Sequence, residues 1–271
     1  GAAERRARAH VVIADGELTA LLFADGARAI VPASGATARR EADNAETFAA
    51  NFADEPDIVF PAIYREFSGE RVLTMEFFDG QRPDSKKVQA MSHEDRERLV
   101  DLGAEAIIRM IYKDGFFHAD LHPGNLIVLP GPKAGFIDLG MVGRVSQEQR
   151  DDIVTVVIAT ISNDATTIAR LLLKMGTPTQ RVNLAELKSD IERIRSKHLV
   201  VENFGEYDSA GFIAEFGRAA GRHRIKLASD MAILAKAAAT LEDIIRTLHP
   251  EVDLVGIARP FLDDIVRQRL S

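Results

Sequence analysis

Short apolar runs bounded by turn signals mark the first part of the chain, and such runs are typical of β-strands. The predicted strands cover residues 11–14, 18–23, 59–64 and 71–77. Asp15-Gly16 joins the first two as a hairpin turn, and residues 24–26 carry a second turn signal. Residues 32–37 are expected to form a loop.

A helical period of apolar residues predicts one early helix and a longer helical region after residue 92. The early helix covers residues 39–52, with a predicted buried face of Ala42, Ala45, Ala49 and Phe52. Ser92 with Asp95, and Ser146 with Gln149, have the spacing of capping boxes. The predicted helix ends lie near Asp114, Ser162, Met175, Lys197, Arg222 and Arg246, followed by a last helix over residues 254–270.

Between these helices, residues 126–129 and 134–137 are two short apolar runs around Pro130-Gly131-Pro132, which predicts a small hairpin. Residues 81–87 are expected to form a linker. Strands and one helix come first and a helical bundle follows, so the expected class is α+β in two lobes. The predicted division is a small N-terminal lobe over residues 1–80 and a large helical lobe over residues 81–271.

Composition narrows the function classes. The 271 residues are 46% apolar and 28% charged, contain no cysteine, and carry a net charge of −7. The missing cysteines exclude a disulfide scaffold, a thiolate zinc site and a cysteine nucleophile. The negative charge argues against a nucleic-acid partner. No apolar run is long enough for a transmembrane segment and no signal peptide is recognised, so we expect a cytoplasmic location or peripheral membrane attachment.

The strongest chemical signal is the spacing of three polar residues within residues 116–144. Asn125 follows Asp120 by five positions, and Asp138 follows after a predicted hairpin, within Asp138-Leu139-Gly140. A protein-kinase catalytic loop and metal-binding turn have this order. Mg²⁺ prefers hard oxygen ligands, so Asp138 and Asn125 are the candidate ligands. Asp120 is the candidate base that orients the nucleophile.

Each residue also has a plainer interpretation. Asp138 and Asn125 both stand in sequences that often form turns, and His118 with His122 has the spacing of a His-x-x-x-His metal pair. A proline and a glycine follow His122 at once, which disfavours the helix that such a pair needs. The order and spacing of the three polar residues together favour phosphoryl transfer.

The sequences HADLHPGN and FIDLGMVGR within this stretch strongly resemble the UbiB family of atypical protein-kinase-like proteins. Residues 52–80 look like the strands that lead to the hinge of that family, and residues 224–254 look like its late helices. The resemblance is close over residues 39–162 and looser in the C-terminal third. Aminoglycoside-type phosphotransferases share the loop, but usually have glycine at the place of Ala119 and tryptophan at the place of Leu139.

This resemblance implies a two-lobed kinase-like fold and a protein that uses ATP and Mg²⁺. It also implies activity as an ATPase or a lipid-directed kinase in isoprenoid quinone (ubiquinone) biosynthesis at a membrane. It implies that Asp120 is catalytic, that Asn125 and Asp138 bind the metal, and that Glu41 is the helix glutamate that pairs with a phosphate-binding lysine. The implied hinge beside the adenine consists of Met75, Glu76, Phe77 and Phe78. The implied structural residues of the catalytic region are His118, His122, Gly124 and Gly140.

The chain also departs from the family pattern. None of its nine lysines precedes Lys86, so the phosphate-binding lysine is missing, and the Lys-x-Gly-Gln motif and the alanine-rich nucleotide loop are missing too. Residues 35–37 replace an expected acidic pair, and Leu121 and Leu139 replace proline and phenylalanine. We therefore expect a fragment of a longer gene product or a degenerate member. Arg28 or another arginine is the candidate substitute for the lysine, and Arg28 would offer a fork rather than a point charge.

Three functions stay open from the sequence. The first is the Mg-ATP-using enzyme just described. The second is a catalytically impaired module that binds nucleotide or lipid, or that scaffolds partners in quinone biosynthesis. The third is an aminoglycoside-type small-molecule kinase. Two basic runs, within residues 193–198 and 218–226, are expected to be solvated helix faces, with contact to anionic lipid headgroups as the alternative.

Overall fold

A computed structural model of the chain describes residues 9–14, 17–23, 28–32, 35–69, 72–198, 209–227 and 229–249. The strands are β1 (Ala9–Ala14), β2 (Glu17–Phe23), β3 (Arg28–Pro32), β4 (Ile58–Val59), β5 (Val72–Glu76), β6 (Phe116–His118), β7 (Leu126–Leu129), β8 (Lys133–Phe136), β9 (Val142–Arg144), β10 (Gly176–Pro178) and β11 (Ile225–Leu227). The helices are α1 (Gly35–Asn51), α2 (Lys86–Gln89), α3 (His93–Ile108), α4 (Gln147–Ile161), α5 (Ala165–Met175), α6 (Leu184–His198), α7 (Ser209–Arg222) and α8 (Ser229–Leu248).

The chain divides into two compact units. One contains Gly1–Leu102 and His122–Val142, and the other contains Gly103–Leu121 and Gly143–Ser271. The lobe boundary expected near residue 80 stays a prediction. The predicted turns at residues 15–16 and 24–26 and the predicted helix over residues 254–270 lie outside the described residues.

The first unit contains an antiparallel sheet with the strand order β1-β2-β3-β5. The predicted strands over residues 11–14, 18–23 and 71–77 are confirmed as β1, β2 and β5. The strand β3 had not been predicted, and it begins between the predicted turn at residues 24–26 and the predicted loop at residues 32–37. It pairs with β5 from Arg28 opposite Glu76 to Pro32 opposite Val72.

Helix α1 packs against β5. Its buried residues Ala38 and Ala42 form a core cluster with Leu73 and Met75 of the strand. The helix begins at Gly35, so the expected loop over residues 32–37 was wrong at its C-terminal half. The prediction that Ala49 is buried was also wrong, because this residue is exposed.

The buried position on α1 next to Ala49 is Phe48, which is fully enclosed. Its ring stacks on Phe60, with centroids 5.1 Å apart, and Phe60 in turn stacks on Phe136 at 5.4 Å. Aromatic rings bury more area than alanine does, so this stack decides which face of the helix turns inward.

The predicted strand over residues 59–64 is wrong beyond Val59. The following Phe60 turns into the aromatic stack, and Pro61 has no N–H with which to continue a strand ladder. Residues 62–64 contact β5 through an isolated bridge between Ile63 and Met75, with backbone hydrogen bonds from Tyr64 N–H to Thr74 and from Glu76 N–H to Ala62. Instead, the short β4 pairs in parallel with β8, in a sheet with the order β4-β8-β7.

The predicted hairpin is confirmed by β7 and β8, which pair antiparallel from Leu126 opposite Phe136 to Leu129 opposite Lys133. Gly131 in the connecting loop has φ 89°, a conformation that glycine adopts without strain. The expected linker over residues 81–87 is only partly correct, because α2 already begins at Lys86.

The second unit is mainly helical, and α5, α6 and α7 share its main core. Both predicted N-caps are found: in the first unit Asp95 N–H donates to Ser92 Oγ, and in the second unit Ser146 forms a complete capping box with Gln149. The predicted helix end near Asp114 corresponds to a π-helical turn that is stopped by Gly115 at φ 61°. The core residues are Ala159, Ala165, Ile168, Ala169, Leu172, Leu187, Ile191, Ala220 and Ile225.

Ion pairs join the two basic runs to acidic partners. Asp190 pairs with Arg193, Arg222 and His223. Glu215 pairs with Lys197, His198 and Arg218. Arginine and lysine side chains of both runs therefore pair with neighbouring carboxylates of α6 and α7. Of the helices that the structure describes, none is both long and apolar enough to cross a bilayer.

Gly143 of β9 provides the sharpest test of packing in the second unit. A Cβ atom there would lie 2.2 Å from the ring of Phe117, a buried side chain that has no room to move away. We expect Gly143→Ala to lower the free energy of unfolding by about 1–3 kcal/mol, because overpacking a rigid core displaces its neighbours. Urea denaturation monitored by circular dichroism measures this change.

The matched control is Gly103→Ala in α3, where a Cβ atom would meet no other atom within 4 Å. Alanine has the higher helix propensity, so this variant should gain about 0.5–1 kcal/mol. Equal unfolding midpoints for the two alanine variants would contradict the packing described around Gly143.

Candidate functional site

Two polar residues interrupt the buried face of α1. Glu41 is 8% exposed and Asn44 is 7% exposed, between the buried apolar residues Ala38, Ala42 and Ala45. Residues three positions apart on a helix lie on the same side, so Glu41 and Asn44 face the same neighbour. Burial of polar groups is costly unless they are hydrogen-bonded, which directs attention to their partners.

Their shared neighbour is the backbone of Leu139. Asn44 Nδ2 donates to the Leu139 carbonyl oxygen at 2.7 Å, and the Glu41 carboxylate accepts a hydrogen bond from the Leu139 N–H. One helix therefore binds both backbone groups of a single residue in the Asp138-Leu139-Gly140 segment. The Leu139 side chain is itself fully buried, which fixes the segment from a third side.

This contact places Asp138 beside Glu41. Asp138 has φ 55°, in the left-handed region that only glycine, asparagine and aspartate enter with ease. A Cβ atom at Gly140 would lie 3.6 Å from Asp138 Oδ1 and 3.7 Å from Glu41 Oε2, so Gly140 leaves a small open cradle between the two carboxyl groups.

The closeness of the two acids changes the ionisation of Glu41. Burial of its carboxyl group, together with the negative charge of Asp138, raises the pKa of Glu41 to about 7. The hydrogen bond from Leu139 N–H opposes this rise only in part. The sequence-based expectation paired Glu41 with a lysine; within the described residues, no lysine or arginine forms an ion pair with Glu41 or Asp138.

Asn125 lies at the other side of the hairpin base from Asp138. Its N–H donates to the His122 carbonyl oxygen at 2.8 Å, and its own carbonyl oxygen accepts from Ile137 N–H at 3.0 Å. Ile137 directly precedes Asp138, so this bond ties the two candidate metal ligands to one another through the backbone. The Asn125 side chain is buried.

His122 and Gly124 shape the tight turn before Asn125. His122 Nδ1 accepts a hydrogen bond from Gly124 N–H at 3.0 Å and caps the 3₁₀ turn Pro123–Asn125. A Cβ atom at Gly124 would lie 2.8 Å from the His122 ring, so only glycine fits without a shift. This geometry suits the structural role that the family resemblance implies for both residues.

The residues of the implied hinge follow β5. Met75 is buried and lines a small concavity with Glu41, Asp138 and Leu139. Glu76 accepts a hydrogen bond from Ala62 N–H at 3.2 Å. The next two residues differ in exposure, since Phe77 is open to solvent and Phe78 is buried.

Asp120 and His118 belong to the second unit, whereas Asn125 and Asp138 belong to the first. His118 is fully buried at the end of β6, and its Nδ1 accepts from Asp120 N–H at 3.2 Å. The Asp120 carboxylate forms an ion pair with Lys236 of α8, with 2.9 Å between Oδ1 and Nζ. His118 and His122 do not lie on one helix, which is the arrangement that a His-x-x-x-His pair requires.

The donor set near Asp138 fits Mg²⁺. In the part of the chain that the structure describes, no group of three His, Cys, Asp or Glu side chains could hold a metal ion by itself. Mg²⁺ commonly binds through one or two protein oxygens and completes its shell with water and substrate phosphates. Asp138, beside the open cradle at Gly140, and Asn125, whose backbone carbonyl binds the N–H of Ile137 just before Asp138, are the candidate oxygen donors for such a partial site.

Sequence reasoning missed Asn44 and Lys236. A polar residue three positions after Glu41, on a face otherwise lined by alanines, is the signal that could have identified Asn44. Nothing in the sequence pattern singled out Lys236, which lies 116 positions from Asp120.

Comparison with known proteins defines the class to which this fold and site belong. Residues 38–172 match the model of the ABC1 atypical kinase-like domain. The solved structure of the Rv3197–erythromycin complex from Mycobacterium tuberculosis has a TM-score of 0.59 to this chain at 17% identity, covering 88% of this chain and 72% of the other. Together with the mixed strand and helix content, this confirms the predicted protein-kinase-like α+β fold.

Sequence relatives narrow the class to a family. The chain is 29% identical over 240 residues to "Probable protein kinase UbiB" of Pseudomonas fluorescens, and 30% identical to the protein of the same name from Pseudomonas aeruginosa, over 86% of this chain in both cases. It is also 30% identical over 198 residues, 70% of this chain and 47% of the relative, to uncharacterized protein slr0889 of Synechocystis. The chain belongs to the UbiB family of atypical kinase-like proteins, and it spans 44% of the length of the Pseudomonas relatives.

The raised pKa of Glu41 predicts a specific dependence of stability on pH. The folded chain binds the Glu41 proton more tightly than the unfolded chain does, so stability is lost as pH rises from about 4.5 to about 7. We expect Glu41→Gln to remove this loss and to be more stable than wild type above pH 7 by about 2–3 kcal/mol. The measurement is urea denaturation in EDTA at pH 4.5 to 8.

The control is Glu46→Gln on the same helix. The hydrogen bond to Arg65 lowers the pKa of the exposed Glu46, so the stability difference between this variant and wild type should stay constant between about pH 5.5 and pH 8. A Glu41→Gln difference that is equally flat over this range would contradict the buried carboxyl pair.

Proposed function

We propose that the chain binds ATP together with Mg²⁺ through Asp138 and Asn125, and that Asp120 orients the nucleophile for phosphoryl transfer or ATP hydrolysis. The observation that carries this proposal is the double hydrogen bond from α1 to Leu139, which holds the neighbouring Asp138 carboxylate next to an open cradle. The left-handed backbone of Asp138 is uncommon outside glycine, and residues in such sparsely populated regions cluster at sites that do chemistry.

Asp138 and Asn125 would hold Mg²⁺, which would supply electrostatic stabilisation for phosphoryl transfer. The residues of this chain would hold and orient the reactants. Asp138 supplies an anionic ligand and Asn125 a neutral one, while the backbone bond between Asn125 and Ile137 keeps the two ligands in register. Asp120 would accept the proton of the attacking water or hydroxyl group.

The proposal extends to the biological process of the relatives. Their name and the motif resemblance support a role in isoprenoid quinone (ubiquinone) biosynthesis, with a lipid or a quinone precursor as the substrate class. The same support extends to peripheral contact with an anionic membrane and to partner proteins of that biosynthesis. The basic runs already form ion pairs with Asp190 and Glu215. Membrane contact would therefore use other surfaces of α6 and α7, or it would require these ion pairs to open at the membrane.

One observation favours a second candidate, a nucleotide-binding module with impaired catalysis. Glu41 lies beside Asp138, whereas in a kinase the helix glutamate pairs with the lysine that holds the α- and β-phosphates. With no lysine before Lys86 in this chain, binding could be retained while turnover is slow. Binding and turnover must therefore be measured separately.

The key variant is Asp138→Asn. Asparagine has nearly the same volume and tolerates the φ of 55°, so the change removes the charge without disturbing the backbone. We expect Mg²⁺-dependent ATP affinity to fall by about 100-fold or more, because a metal ligand is lost. Isothermal calorimetry with Mg²⁺ and with EDTA measures the affinity, and phosphate release measures turnover.

The matched control is Asp84→Asn, an exposed carboxylate that pairs with Arg82. This variant should bind Mg-ATP as wild type does. Magnesium-dependent binding that survives Asp138→Asn, or wild-type binding that is the same in EDTA, would refute the proposed metal site. Wild-type binding without turnover would support the impaired module instead.

A further inference from the structure

Two of the contacts of Asp120 bear on where its carboxylate lies. The buried His118 ring accepts a hydrogen bond from the Asp120 N–H and so fixes the backbone. Lys236 Nζ donates to Asp120 Oδ1 at 2.9 Å and so fixes the side chain. The first contact comes from the same loop, whereas the second comes from a helix that lies 116 positions later in the chain.

The placement of Lys236 on α8 is set by packing on the opposite side of that helix. Its close neighbours Leu234 and Ala237 are buried, and so are Ile244 and Ile245 further along. The apolar side of α8 is thereby anchored in the second unit, and the lysine is left on the solvent side. A rigid helix thus carries the ammonium group to the candidate catalytic aspartate.

Stability does not account for this ion pair. The side chain of Lys236 is 64% exposed and that of Asp120 is 34% exposed, so solvent screens their attraction. Exposed pairs of this kind add little to the free energy of unfolding. A long-range pair that adds little stability, but that engages the one side chain expected to take a proton, is better explained by the chemistry of Asp120.

We propose that Lys236 is a positioning residue for Asp120, an inference that rests on the proposed function. Its ammonium group binds Oδ1 and keeps the carboxylate correctly oriented for the nucleophile. In the transfer step, the nucleophile oxygen bonds to the γ-phosphorus, its proton passes to Asp120, and the bond from that phosphorus to the bridging oxygen breaks to release ADP. Lys236 keeps its own proton throughout.

The test is the steady-state kinetics of ATP turnover by Lys236→Met. A misoriented base lowers the chemical step and leaves nucleotide binding alone, so kcat should fall by about 10–100-fold while KM for ATP changes by less than about twofold. Lys236→Arg retains the charge and the reach and should recover most of kcat. Lys188→Met, which breaks another exposed ion pair on a helix, should behave as wild type does.

A double-mutant cycle shows whether Lys236 acts through Asp120. In the Asp120→Asn background, Lys236→Met should cause no further loss of kcat, because the positioned group is already gone. Independent, multiplicative losses would overturn the inference. So would a kcat of Lys236→Met equal to wild type, or a failure of Lys236→Arg to recover activity that Lys236→Met has lost.

The two proposals fail in different ways. Wild-type turnover with no effect of Lys236→Met overturns the positioning role and leaves the proposed function intact. Turnover by Lys236→Met that exceeds that of wild type also overturns it, because the lysine would then be inhibitory. Wild-type protein that binds Mg-ATP but shows no turnover, with the same result for every variant, overturns the phosphoryl-transfer function and this inference with it.

Discussion

The two hydrogen bonds from α1 to the backbone of Leu139 are the interaction on which the candidate site depends. Asn44 holds the carbonyl group and Glu41 holds the N–H, so the helix fixes the segment that carries Asp138 in both directions. The aromatic stack of Phe48 on Phe60 and Phe136 keeps the helix against the hairpin strand that leads to Asp138. The core packing of the first unit therefore also holds the segment that carries Asp138 in place.

This arrangement makes the site costly to keep. A buried carboxyl group beside another carboxylate is disfavoured when both are ionised, and Asp138 also adopts an uncommon backbone conformation. A divalent cation between phosphate and protein oxygens would relieve the charge. In the second unit, by contrast, the Asp120 carboxylate forms an ion pair with the ammonium group of Lys236. The same kind of side chain is thus held in two different electrostatic environments, as two different roles would require.

The features that the sequence predicted well are those that local chemistry decides. The hairpin follows from two apolar runs around a proline–glycine–proline turn, and the N-caps at Ser92 and Ser146 need only residues three positions away. The errors arise where distant contacts prevail. Pro61 and the aromatic stack end a strand that the apolar run over residues 59–64 predicted, and Phe48 takes the buried place expected for Ala49. Asn44 and Lys236 bind partners 95 and 116 positions away, a distance that no local pattern encodes.

The most direct test of the site is an anomalous diffraction experiment on crystals of the protein grown with Mn²⁺ and a non-hydrolysable ATP analogue. Mn²⁺ replaces Mg²⁺ at oxygen sites and is visible by its anomalous scattering. The account predicts a metal peak at about 2 Å from a carboxylate oxygen of Asp138 and from the amide oxygen of Asn125, in contact with the phosphates. A nucleotide bound with no metal at Asp138, or with its metal elsewhere, would contradict the account.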